Sequence, residues 1–445
     1  MSHITMHHIR SCALSARIKA RFKALTQALT LALLVTPPAF AVETPADELP
    51  PEALVRQHIL ARPEVRAATA AQQADRADAE RLKAGPHEFT MRLAGQQRRT
   101  SDKLADGLTD RQRYNETQLS LERTLRSTGK ASQDAAIGDA AIKLAQIRRA
   151  DAIHESSRTL LRAWVDWLRE QATVKLWQSQ VVDQTELTRQ AERRVKAGDA
   201  ARTELRLQEA GAAQVQASLI SAQASEATAR ALLDTQFPGL TASAPTELRA
   251  PSQADFPAEP GTTITQWLEE RSHEWRMAQL QAELVRARAQ RINLDKTADP
   301  TVGVYAASER GGAERVLGVS LSLPFAGEAR SAAARQAQAM SLEAEQQAEF
   351  VRQKVRTEAA TAWLTAQSAL SAWQSQDQAR QRHEQLLKTM VRGWQLGEYS
   401  QADLLLARRQ FMDAALAEIQ ARAQARHAAL RLKLDLHDTW EFDDE

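Results

Sequence analysis

The feature that most constrains this chain is that it is written twice. Ala163-Trp164-Val165 returns as Ala362-Trp363-Leu364, 199 residues later, and at the same displacement Arg193 meets Arg392, Gly198 meets Gly397, Glu204 meets Asp403 and Leu205 meets Leu404. Upstream, Glu64-Val65-Arg66 is echoed by Glu274-Trp275-Arg276, and Ala84-Gly85-Pro86 by Ala298-Asp299-Pro300. The displacement drifts there, as it does when loops differ in length. Two repeats are expected, 42–240 and 241–445, joined by a Pro-rich junction at 237–262 that holds Pro238, Pro245, Pro251, Pro257 and Pro260 and reads as a linker or irregular segment.

Each repeat is mostly helix. The chain is 5% aromatic and rich in Ala, Gln, Arg, Glu and Leu, a composition that suits long helices packed in coiled-coil style. Val355, Ala359, Ala362, Ala366, Ala369 and Trp373 recur at steps of four and three, which marks one helical stripe. From Ser127 to Ala197 there is no proline, enough for a rod of roughly 105 Å at 1.5 Å per residue. Gly129 and Gly138 are possible breaks within it. The tryptophans read as packing knobs.

Each repeat also interrupts its helices with a short β pair. Val302, Val304 and Ala306 alternate with small or polar residues, Gly311-Gly312 makes a turn, and Leu317, Val319, Leu321 and Leu323 alternate before Pro324. In the first repeat Phe89, Met91 and Leu93 precede a polar loop from Arg98 to Arg113. Leu119 and Leu121 follow it, with Tyr114 and Gln118 on the opposite face.

The N-terminus suggests a compartment. Arg10, Arg17, Lys19, Arg21 and Lys23 precede an apolar stretch, Ala24 to Val35, then Pro37-Pro38 and Ala39-Phe40-Ala41. This order describes a secretory signal peptide, 1–41, cleaved after Ala41. An N-terminal anchor is the alternative, but a membrane span needs roughly 20 apolar residues. Cleavage removes five basic residues and no acid, so the formal net charge moves from +2 to −3. The single cysteine, Cys12, leaves with the signal and is not placed for lipidation, so no lipid anchor and no disulfide are expected. No basic patch is interleaved with aromatics, which argues against nucleic acid.

These parts lead to a channel by elimination. About four strands of roughly 10 residues suit a bilayer, each with one apolar and one polar face. Four strands cannot close a barrel, because the smallest transmembrane barrels have about eight, and an open edge is not tolerated in lipid. Chains must pool strands, and three would supply 12. A soluble hairpin module on a periplasmic coiled coil is the competing reading.

The order helix, hairpin, helix, turn, helix, given twice, resembles the TolC family of outer-membrane efflux proteins over nearly all of 50–436. Its most specific segments are Arg193-Arg194-Val195-Lys196-Ala197-Gly198 with Glu204-Leu205, and Arg392 to Gly397 with Ser400 and Asp403-Leu404. Leu321-Ser322-Leu323-Pro324-Phe325 resembles the family's strand-to-helix junction. The resemblance implies a mainly α fold with a small β part: a homotrimer whose shared 12-stranded β-barrel crosses the outer membrane and continues into a helical periplasmic barrel. A mixed belt near the middle would include 237–262 and the C-terminal tail.

By the same resemblance the chain is an exit duct, not an enzyme, without cofactors, embedded in outer-membrane lipids. A periplasmic adaptor would couple it to an inner-membrane pump of RND type exporting metal cations or drugs. Asp299-Pro300-Thr301-Val302-Gly303-Val304 and Arg315 to Pro324 look closest to relatives serving heavy-metal pumps. A type I secretion duct, a periplasmic adaptor and a structural coiled coil are the alternatives; an adaptor should carry a lipoyl-like β domain, and no such block is visible in the sequence.

The tip turns implied to dock the adaptor hold Val195, Gly198, Asp199, Leu205, Leu396, Gly397, Ser400 and Leu404. Gly198 and Gly397 fall where a long helix must reverse, a place for a left-handed residue. Ser400 with Asp403 forms a helix-start signal. The first repeat has Ala201 there instead, which leaves Asp199 as the expected cap. The resemblance makes Asp403, with Glu204, the candidate periplasmic gate, at the position where some relatives place an acidic ring that would attract cations; completing a cap is the simpler role for Asp403. The histidines of the mature chain (His58, His87, His154, His273, His383, His427 and His437) are scattered with no i, i+4 pair. No metal site is therefore expected, and the acidic end from Asp438 to Glu445 reads as a solvated tail.

Overall fold

The structure, a computed structural model, describes residues 49–243, 247–325, 327–440 and 442. The expected signal segment with Ala41, the junction residue Pro245, and residues 441 and 443–445 of the acidic end lie outside the described residues. Helices α1 (Glu52–Ala61) and α2 (Pro63–Ala84) lead into strands β1 (Thr90–Lys103) and β2 (Thr109–Thr124), then helices α3 (Lys130–Ala197) and α4 (Arg202–Gln236). Short 3-10 turns at Leu240–Ser243 and Gln253–Asp255 precede α5 (Gly261–Arg271) and α6 (His273–Leu294). Strands β3 (Thr301–Glu309) and β4 (Glu314–Ser322) then lead into α7 (Glu328–Leu396) and α8 (Gln401–Asp435). A hairpin followed by a helix of 68 or 69 residues and one of 35 thus occurs twice.

The two long helices run about 100 Å each at 1.5 Å per residue. Gly129 does not interrupt α3 but precedes it in the left-handed conformation, at φ 86°. Gly138 sits inside the helix because α2 crosses there: a Cβ on it would lie 2.7 Å from Ala79 Cβ. Each long helix is flanked by shorter ones, α3 by α2 and α4, α7 by α6 and α8. The alanine stripe on α7 is buried at Val355, Ala359 and Ala366.

The core is concentrated at a waist. There Val55, Ile59, Leu160, Trp164, Leu168, Leu233, Phe237, Leu430 and Leu434 pack together. A neighbouring cluster joins Phe256, Ile264 and Leu268 to Ala366, Leu370 and Leu432. The Pro-rich junction is therefore not a free linker. Phe237 and Leu240 are fully buried, and Asp255 pairs with Arg426 at 2.8 Å. Prolines stop regular helix here, while the aromatics between them fill the waist. Among the described residues the waist holds helices, 3-10 turns and irregular segments, and no strand.

One antiparallel sheet has the order β1-β2-β3-β4. The first hairpin corrects the expectation of a polar loop from Arg98 to Arg113. Pairing continues from Arg98↔Tyr114 to Lys103↔Thr109, so only residues 104–108 turn. Strand pairing is carried by backbone hydrogen bonds, and a polar stretch that loses hydrophobic alternation still forms the ladder.

Candidate functional site

The sheet is inverted relative to that of a soluble protein. One face carries two rows that run across all four strands, Leu93, Leu119, Ala306 and Leu317, then Met91, Leu121, Val304 and Val319, and a third row, Arg123, Val302 and Leu321, across β2, β3 and β4. These side chains point outward, with Leu317 85% and Val319 82% exposed. The apolar run continues past the strand through Leu323 and Phe325, both exposed. The opposite face is mostly polar and is sheltered at its centre, on β2 and β3, while its β1 side chains are exposed. Glu116 there is 3% exposed, accepts from Gln96 Nε2 at 2.8 Å and pairs with Arg98 at 3.1 Å. Gly318 leaves room for the Tyr305 ring, whose Cζ lies 2.5 Å from where a Cβ would stand. A polar interior and an apolar exterior suit lipid outside and water inside. In this sheet β1 and β4 are both open edges.

At the far end of the long helices the two tip turns lie side by side. Gly198 and Gly397 take φ 86° and φ 80°, as a reversing helix requires. Each turn closes with a bond from the residue after the glycine to the carbonyl five residues back, Asp199 N to Arg194 O at 2.9 Å and Glu398 N to Gly393 O at 2.8 Å. This pattern satisfies the helix's last carbonyls.

Beyond the glycines the turns differ. Ser400 forms the full capping box with Asp403: its hydroxyl accepts from Asp403 N, and the Asp403 carboxylate accepts from Ser400 N at 3.2 Å. In the first turn Asp199 does not cap, contrary to expectation. Its backbone is committed to closing α3, and Ala201 occupies the cap position without a side-chain bond. An ion pair compensates, Arg194 to Glu204 at 2.7 Å, with the same guanidinium 5.1 Å from the Trp394 ring centroid.

Gln401 Nε2 donates to Glu204 O at 3.1 Å and Gln395 to Gln190 Oε1 at 3.1 Å, linking the two turns. Leu396, Gly397, Ser400, Gly198 and Asp199 are exposed, and Val195 and Leu205 half-buried. Leu404 is the exception among the expected docking residues. At 1% exposed it packs with Leu187 and Trp394 and supports the tip from inside. Of the candidate gate acids, Asp403 is exposed and Glu204 half-buried.

Three of the scattered histidines converge at the waist, contrary to what their spacing implies. His154, His273 and His437 bring one ring nitrogen each within 4.8 Å of one another. They stand on α3, at the start of α6 and just past α8, so no linear motif could have signalled them. Burial, with His154 and His437 beside it, pushes the His273 imidazole down to about 4. Asp435 adjoins His154: burial alone would raise its carboxyl, but His154 and Arg158 hold it at about 2. Asp151 nearby is pushed up to about 6 by burial and by Glu274 and Glu155.

No family model and no curated protein matches the chain by sequence. Solved structures do match by fold. The Vibrio cholerae outer membrane protein VceC superposes with a TM-score of 0.70 at 17% identity, covering 86% of this chain and 95% of that one. The outer-membrane channel OprN gives 0.71 at 18%, covering 88% and 90%. CusC, described in terms of folding and transmembrane channel formation, gives 0.69 at 13%, covering 86% and 91%. The described residues thus share the mainly helical, TolC-like fold of these outer-membrane channel proteins, as the resemblance led one to expect.

Proposed function

We propose that this chain is one third of an outer-membrane exit duct. The observation that carries the reading is the inverted sheet: an exposed apolar face, a mostly polar face sheltered at its centre, and two open edges. In water that arrangement would aggregate. In lipid it requires closure with further copies, and three copies would join their strands into a 12-stranded barrel. The long helices would extend the barrel into the periplasm as a tube.

The exposed tip residues Gly198, Asp199, Leu396, Gly397 and Ser400 are the surface offered to a periplasmic adaptor, which would couple the duct to an inner-membrane pump. Glu204 and Asp403 bring two carboxylates per chain to that end. A threefold arrangement would ring them, which favours cations over anions. Metal cations and drugs are the proposed cargo, the pump rather than the duct choosing between them. The reading also requires export through a signal peptide, residues 1–41.

The test is fractionation of cells making the full chain. Recovery in the outer membrane as a detergent-stable trimer is expected. Recovery in the soluble periplasm, or as a monomer in detergent, overturns the proposal.

A further inference from the structure

Two features of the waist share one locus: the histidine cluster and a left-handed histidine. His437 closes helix α8, with its N–H on Leu434 O at 2.9 Å and Asp438 N on Lys433 O at 2.8 Å. That is the position at which glycine ends a helix without steric cost. Here a histidine takes it, at φ 61°. Strain of this kind persists where the surrounding structure holds it, and it concentrates at functional positions. Its consequence is placement: the His437 ring centroid stands 4.9 Å from that of His273 and 5.4 Å from that of His154.

The other two rings are also held. Ser272 caps α6, its hydroxyl accepting from Trp275 N, so His273 is fixed at the first helical position. His154 lies mid-helix on α3, with Asp435 Oδ1 3.3 Å from its Nε2. A carboxylate on the ring of a ligating histidine is the usual outer partner, fixing tautomer and orientation. Asp435 is in turn held by Arg158 Nε at 2.8 Å.

We propose that His154, His273 and His437 bind one divalent transition-metal ion, with Zn2+ the physiological candidate. Imidazole suits Zn2+ and its neighbours rather than Mg2+ or Ca2+. With metal–nitrogen bonds of about 2.0–2.1 Å, tetrahedral donors stand roughly 3.4 Å apart. Donor atoms already within 4.8 Å reach that by small side-chain rotations. A cleft of ≈ 70 Å³ opens beside the cluster, bordered by Arg271, Glu358 and Arg431. That volume accommodates a water, whose share of liquid is about 30 Å³, as the fourth ligand.

The ion joins three segments distant in sequence: the long helix α3, the α5–α6 junction and the turn that follows α8. It thereby clamps the C-terminal segment to the waist in a chain whose only cysteine, Cys12, lies in the expected signal. The clamp is structural and independent of what the duct carries, so it can fail while the channel reading stands, and the reverse.

The test is Zn2+ titration of the full purified chain by calorimetry, after chelator treatment and dialysis. One Zn2+ per chain is expected, with a higher thermal midpoint in the loaded protein. His273→Ala and His437→Ala should each weaken binding by at least about tenfold, while His58→Ala leaves it unchanged. Should the variants fail to fold, Co2+ titration of the unaltered chain decides. A saturable, intense visible spectrum of tetrahedral Co2+, displaced by Zn2+, supports the site. Absence of that spectrum, or Zn2+ affinity that survives loss of all three imidazoles, overturns it.

Discussion

The two ends of the long helices are held by different kinds of contact. At the neck, where helices meet the sheet, the charges are shared and all but Asp295 are largely buried. Lys130 is 1% exposed and reaches Asp295 and Asp299, both at 2.9 Å. Asp134 receives Arg126 at 3.0 Å and Arg291 at 2.6 Å. Asp299 also accepts from Ser127 N and Oγ at 2.8 Å each. At the tip, one half-buried ion pair braces the first glycine turn, and two amide contacts with the Arg194–Trp394 contact link it to the second. Buried pairs are costly to break because they strand a charge, whereas accessible pairs are worth about 1 kcal/mol or less. The neck is therefore built to stay, and the tip is built to be opened at little cost. Under the proposed function, a duct anchored in a membrane at the neck end and closable at the tip would use that division.

The largest effect should come from the neck. Lys130→Ala leaves Asp295 and Asp299 without their shared ammonium, and we expect a loss of about 3 kcal/mol in denaturant unfolding, near the range for a broken buried pair. The same change at the exposed Lys388 should cost less than about 1 kcal/mol.

Acid should separate the ends next. Burial alone would raise the Asp299 carboxyl, but Lys130 and the Ser127 N–H and hydroxyl hold it well below the usual range. A depressed carboxylate contributes stability above its unfolded value of 3.8 and loses it as pH falls below that. The thermal midpoint of the parent chain should therefore drop below about pH 4 more steeply than that of Asp299→Asn.

Tip changes should be smaller and should appear as gating. Removing the cap with Ser400→Ala should cost about 1 kcal/mol, and supplying one with Ala201→Ser should gain about 0.5 kcal/mol. If the two turns respond alike to these changes, the asymmetry between them is unreal. Arg194→Ala removes both the Glu204 pair and the Trp394 stacking; it should cost about 1 kcal/mol or less, with a salt dependence that the Ser400 variant lacks.

What the sequence made legible follows the same physical divisions. Period two in Val302–Ala306 and Leu317–Leu321 revealed the second hairpin because apolar residues alternate there. The outer half of the first hairpin, Arg98–Arg113, was not legible, because its ladder is carried by backbone and its side chains are polar on both faces. Gly198, Gly397 and the Ser400–Asp403 box were readable as local chemistry.

Gly138 was not readable, since its need for a missing side chain is set by Ala79 on another helix. Leu404 looked available because it follows an exposed turn, yet Leu187 and Trp394 cover it. The histidine cluster assembles across more than a hundred residues of chain, a distance at which spacing carries no signal.

Conductance of the purified full chain across a planar bilayer tests the central claim most directly. The account predicts discrete, cation-preferring channels, small at rest, that Arg194→Ala enlarges while Lys130→Ala destabilises the assembly without widening it. A bilayer that stays sealed at all protein concentrations, with the chain recovered unaggregated in water, would contradict it.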